Sequence, residues 1–191
     1  MKNSPANSRA FDPAKTTLND WAQLFVHGLA VVGVIFVYIQ YEQNSTDTRV
    51  ERTLLYVSEF RDQDTGVGLA QRDINDILWK NENNISQVAA IPEDDTRKAE
   101  IHQKMVFQWI DSSADSKSPL ANSLNEMVSF MESLWVCVEE SLCDESAAAR
   151  FFSQYAARFE RNFAPYIQNR MLYAPPYAHG LKGIAALDSD Q

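Results

Sequence analysis

The sequence predicts an all-α protein: one N-terminal transmembrane helix followed by a small helical-bundle domain. Three observations predict it. Trp21 to Tyr41 holds no Asp, Glu, Lys or Arg. Beyond it, apolar residues recur at spacings of three and four, the period of a helix that buries one face. No segment carries the strict apolar–polar alternation of a half-buried strand.

The uncharged stretch comes first. About 20 helical residues cross a hydrocarbon core of roughly 30 Å. Trp21 lies at one end and Tyr38 and Tyr41 at the other, where amphipathic rings settle at a bilayer interface. A cleaved signal peptide has a shorter apolar run and a small-residue cleavage site. Here 20 residues precede the run, and YEQNSTD after it offers no such site. A buried core helix carries a polar stripe, whereas Gln23, His27 and Gln40 lie near the ends of this segment. The expected partner is therefore the lipid bilayer. Gly28, Ala30 and Gly33 make no G-x-x-x-G, but they leave a groove where a helix of another membrane subunit can pack. His27 falls near an interface, where a structural role outweighs a cofactor or proton role.

Four regions follow: a flexible tail over 1–20, the span over 21–41, a helical soluble domain over 42–172 and an irregular tail over 173–191. The whole chain carries a net charge of −9. Lys2, Arg9 and Lys15 against Asp12 and Asp20 make residues 1–20 net +1 and the span is neutral, so residues 42–191 carry −10. Such a domain repels nucleic acid and anionic lipid, and no nucleic-acid partner is expected. Orientation is undecided by charge, because Lys2, Arg9 and Lys15 before the span are matched by Arg49, Arg52 and Arg61 after it.

Within the domain, Val50, Leu54, Val57 and Phe60 form the first helical stripe, which either continues the span or breaks from it near Asn44–Asp47. Gly66 and Gly68 end it. A helix over 69–80 presents Ala70, Ile74, Ile77 and Leu78 on one face. The polar stretch from Lys80 to Asp95, interrupted by Pro92, reads as a connector. A helix over 94–112 buries Ile101, Met105, Val106, Trp109 and Ile110. The two longest stripes come last. Leu120, Leu124, Met127, Val128, Met131, Leu134, Trp135 and Val138 span five turns, and Ala148, Phe152, Tyr155, Ala156, Phe159 and Phe163 follow a short turn. That turn predicts antiparallel neighbours, with Asp144 as N-cap of the second. Pro165 kinks or ends it.

No catalytic constellation, metal-ligand spacing or cofactor motif appears. His27, His102 and His179 lie in separate segments, and G-x-S-x-G and Gly-rich phosphate loops are absent. No enzymatic activity, cofactor or metal is expected. Glu132 borders an apolar face, where a carboxylate needs a partner; Arg161 and Arg170 are the candidates for a structural ion pair. Cys137 and Cys143 have neither zinc nor thioredoxin spacing. They are expected as two half-buried thiols, although a bridge is geometrically open. Tyr173, Pro175, Pro176, Tyr177 and Leu181 form an aromatic, proline-rich segment that either packs over its own domain or docks on a partner.

The span, TRVERTLLYVSEFRD, the ILW that ends a middle helix, and the stretch from SLNEMVSF to APYIQNRM together resemble an uncharacterised bacterial group, the domain of unknown function 4760. The matching positions are Glu132, Phe152, Tyr155, Pro165, Ile167 and Arg170, and the likeness covers roughly residues 20–172. This chain departs from the group's pattern at the inter-helix turn, where Ser141-Leu142-Cys143 stands in place of an expected Gly. The resemblance implies one N-terminal span in a bacterial inner (cytoplasmic) membrane and a helical domain, and it favours a cytoplasmic domain with reduced cysteines. It brings no known activity.

The expected function is a non-enzymatic, membrane-anchored helical interaction module, an accessory or assembly subunit of a membrane complex or a tethered adaptor. The alternative is a membrane-tethered signalling or sensory component that binds a small ligand in the helical domain.

Overall fold

The computed structural model describes residues 18–92, 94–95, 97–114 and 119–187. The tail expected over 1–20 lies almost wholly outside them. All regular structure among the described residues is helical: α1 (Leu18–Arg61), α2 (Gly66–Lys80), α3 (Glu82–Ala89), α4 (Arg97–Ser112), α5 (Leu120–Glu139), α6 (Glu145–Ala148), a π turn (Ala149–Ser153), α7 (Gln154–Tyr173) and α8 (His179–Ala185). The chain divides into two compact units, one through Ser45 and one from Thr46.

The first unit carries the helix that is long and apolar enough to cross a membrane. Its large apolar residues, among them Phe25, Leu29, Val34, Phe36 and Tyr41, are exposed. Water disfavours such a surface and lipid does not. Helical backbone continues through Asn44–Asp47, without the break that was one of the two expectations there.

In the second unit, the end of α1 turns Val57 and Phe60 into the core, while Leu54 and Leu55 are exposed. The buried face is thus rotated from the expected stripe, and Thr53 lies on it. Its hydroxyl donates to the Arg49 carbonyl at 3.0 Å and accepts from the Asp144 backbone N–H at 2.9 Å. Thr65 caps α2 by accepting from the Gly68 N–H. Helix α2 therefore begins at Gly66, earlier than expected, and Gly68 passes directly over the Asp62 carbonyl, where a Cβ would collide.

Residues 82–89, expected as connector, form α3, which buries Val88. Asp144 caps α6 as expected, accepting from the Ala147 N–H at 2.7 Å. In α7, Pro165 lacks an N–H and its ring crowds the preceding turn. The backbone responds two residues earlier, at Phe163, with φ −112° and ψ 18°, and the helix resumes to Tyr173.

The core is built on α5, whose Leu124, Met127, Met131 and Leu134 are fully buried. Its closest backbone neighbours are α2 and α8 rather than the helix after the short turn. That helix meets α5 through side chains: Phe130 and Phe152 rings lie 5.8 Å apart, and Phe60 stacks on Phe130 and meets Phe152 edge-on. The expected α5–α7 hairpin thus shares its core with α8, which packs on α5, the π turn and α7 alike. The irregular tail expected over 173–191 contains this helix, with Leu181 and Ile184 fully buried.

Cys137 and Cys143 form a disulfide, with Cα atoms 5.1 Å apart, which corrects the expectation of two reduced thiols. The turn after α5 brings them together. Ser141 takes a left-handed φ of 56°, and the N–H groups of Leu142 and Cys143 both donate to the Cys137 carbonyl at 2.9 Å. This is the hydrogen-bonded stop that glycine normally supplies at a helix C-terminus.

Candidate functional site: a cleft bordered by α3, α4 and α7

Glu132 and the two arginines do not come together. Glu132 makes no ion pair among the described residues, and its Oε1 is buried without a hydrogen-bond partner. Helix α8 covers it instead: a Cβ on Gly180 would lie 2.7 Å from the Glu132 Cα. The guanidinium of Arg170 sits over the Tyr177 ring, 5.6 Å from its centre. Arg161 faces a different surface. The expected ion pair is therefore corrected, since α8 occupies the space the arginines would need.

The tail residues divide. Tyr177 packs inward against Tyr166, and both hydroxyls donate to the Asn125 side-chain oxygen, at 2.9 and 3.0 Å. Burial raises the phenol pKa values of Tyr166 and Tyr177. Tyr177 thus belongs to its own domain, not to a docking surface. Tyr173, Pro175 and Pro176 are exposed. In the first unit, a Cβ on Gly28 or Gly33 would meet nothing within 4 Å, so both positions are open. On a 3.6-residue helix Ala30 and Gly33 share a face, whereas Gly28 lies about 140° round from Gly33.

The site that sequence reasoning missed is a cleft of about 850 Å³ bordered by α3, α4 and α7. Its apolar wall comes from Ile85 and Val88 of α3 and Met105 and Trp109 of α4. Trp109 is held edge-on to Phe163, at the α7 kink. One residue before, the Asn162 carbonyl lies 2.9 Å from His102 Nε2. A carbonyl can only accept, so Nε2 carries a proton and donates it. This bond ties α4 to α7 across the cleft.

One turn of α7 sets Arg158 and Arg161 on the rim, both exposed. Neither makes an ion pair among the described residues, although the chain holds 26 Asp and Glu. Arg158 lies 5.9 Å from the centre of the Tyr155 ring. Two acidic residues also border the cleft: Asp94, and Asp95, whose charge is taken up by Arg97 at 2.8 Å. Arg97 beside it lowers the Asp95 pKa. An apolar wall of this size with a few polar groups at the mouth is the common form of a small-molecule site. The signal in the sequence was Ile85 and Val88 three apart before Pro92, a short amphipathic helix lost in a polar stretch.

No cluster of three His, Cys, Asp or Glu suited to a metal ion occurs among the described residues. No family model, curated protein or solved structure matches the chain.

Proposed function

We propose that this chain is a non-enzymatic, membrane-anchored helical interaction module, an accessory or assembly subunit of a membrane complex or a tethered adaptor. The carrying observation is the apolar surface of α1 before Ser45, exposed at every described side chain from Phe25 to Tyr41. Lipid covers most of such a surface, and the small side chains of Ala30 and Gly33 let a second helix approach closely. The resemblance to the domain-of-unknown-function 4760 group agrees with this layout of one span and one helical domain.

The Cys137–Cys143 bridge supports a domain exposed to an oxidising compartment, opposite in side to the cytoplasmic one that the resemblance implies. Photo-crosslinking from Val26 and Val37, exposed one turn either side of Ala30 and Gly33 on the same face, in native membranes tests the module. A stoichiometric protein adduct at these positions, absent from the Gly33→Leu variant, is expected. Adducts with lipid alone would contradict the subunit reading.

A second reading, a tethered sensor that binds a small ligand in its helical domain, is favoured by the α3–α4–α7 cleft.

A further inference from the structure

We propose that the cleft binds an amphipathic carboxylate, with its apolar body against Val88, Met105 and Trp109 and its carboxylate on Arg158 and Arg161. The inference rests on the ligand-binding reading of the cleft and names the chemistry of the ligand.

Three observations carry it. The cleft volume, about 850 Å³, lies within the range of small-molecule sites, and its wall is apolar. In a domain that is strongly acidic, Arg158 and Arg161 lie one turn apart on α7 and border the same cavity, across from Asp94 and the Arg97-paired Asp95. Arg97 pairs with Asp95 and Lys104 with Glu100, at 2.8 and 2.6 Å. Arg158 and Arg161 have no such carboxylate among the described residues. A guanidinium presents a planar fork of donors that fits a carboxylate with two parallel bonds. An apolar tail supplies the rest of the affinity by leaving water.

The cleft is also held open by its own construction. The His102–Asn162 bond fixes the spacing of α4 and α7, and the Phe163 kink seats Trp109 in the wall. A ligand therefore enters a preformed wall and orders little, which favours binding.

The test uses the full chain in lipid nanodiscs, with empty nanodiscs as the blank, titrated calorimetrically with octanoate, octanol and octylamine. These share an eight-carbon chain and differ only at the head. Octanoate should bind at least tenfold more tightly than the other two. The double variant R158Q/R161Q, altered at exposed side chains, should lose that tenfold preference, and Ala99→Trp, which fills the cleft from α4, should abolish binding of all three. If octanol binds as tightly as octanoate, or the double variant is unchanged, the carboxylate assignment is overturned while the cleft stands as a ligand site. If none of the three differs from the blank, both fall together.

Discussion

Gly183 of α8 lies against Trp135 of α5 so closely that a Cβ on it would come within 2.5 Å of the indole. Gly180, one turn earlier, does the same to the Glu132 backbone, at 2.7 Å. The two glycines let α8 press onto α5 and close the domain with Leu181 and Ile184. Gly180→Ala pushes against backbone that cannot move aside, and should cost about 1–3 kcal/mol. Gly28→Ala, where nothing lies within 4 Å, should leave the melting temperature unchanged or slightly raised. Equal effects from the two would mean that α8 does not pack as described.

The turn after α5 invites a gain. Ser141 holds φ 56°, a conformation that costs a residue with a Cβ about 1–2 kcal/mol. Part of that is offset by glycine's greater freedom when unfolded, so Ser141→Gly should stabilise by about 0.5–1 kcal/mol in denaturant titration. Reduction of the Cys137–Cys143 bridge, which closes a short loop, should lower stability by about 2 kcal/mol. Loss of stability in Ser141→Gly would contradict the left-handed cap.

Tyr155 offers a contrast with Tyr166 and Tyr177. Its hydroxyl is buried with no hydrogen-bond partner among the described residues, and burial raises its pKa. Tyr155→Phe removes an unsatisfied group and should be neutral or stabilising by up to about 1 kcal/mol. Tyr177→Phe removes a made bond to Asn125 and should destabilise by about 1 kcal/mol.

The same phenols set an alkaline limit. Burial raises the pKa values of Tyr166 and Tyr177, so the fold favours their protonated forms. That contribution is complete below the unfolded value of about 10 and is lost as pH rises through the folded values. Urea midpoints should therefore fall above about pH 10. The fall should be shallower in Tyr177→Phe; an unchanged slope would place the titration elsewhere.

Glu132 and the arginines should behave independently. A double-mutant cycle on Glu132→Gln and Arg161→Gln should give a coupling below about 0.5 kcal/mol, the level expected of residues without a shared contact. A larger coupling would restore the ion pair that the sequence suggested.

The long stripes were legible because each helix repeats its apolar face over several turns. The α5 face, from Leu124 to Val138, and the Asp144 cap lie where periodicity and side-chain chemistry put them. The short helices were not legible. Helix α8 follows two prolines and contains two glycines, so local propensity argues against it. Tertiary packing overrides that, because only glycine fits beneath Trp135 and Glu132. Rotation of the α1 face toward Thr53 likewise depends on Asp144, 91 residues away. The cleft escaped for the same reason: His102 meets Asn162 across 60 residues, and no local pattern joins them.

Protease accessibility in sealed spheroplasts of a bacterial host bears most directly on a membrane-anchored domain on the oxidising side. The full chain would carry one epitope at each end. A span over 21–41 with the bridged domain outside predicts loss of the C-terminal epitope on intact spheroplasts, while the N-terminal epitope survives until lysis. Survival of both epitopes until lysis, or recovery of the intact chain in the soluble fraction, would contradict it.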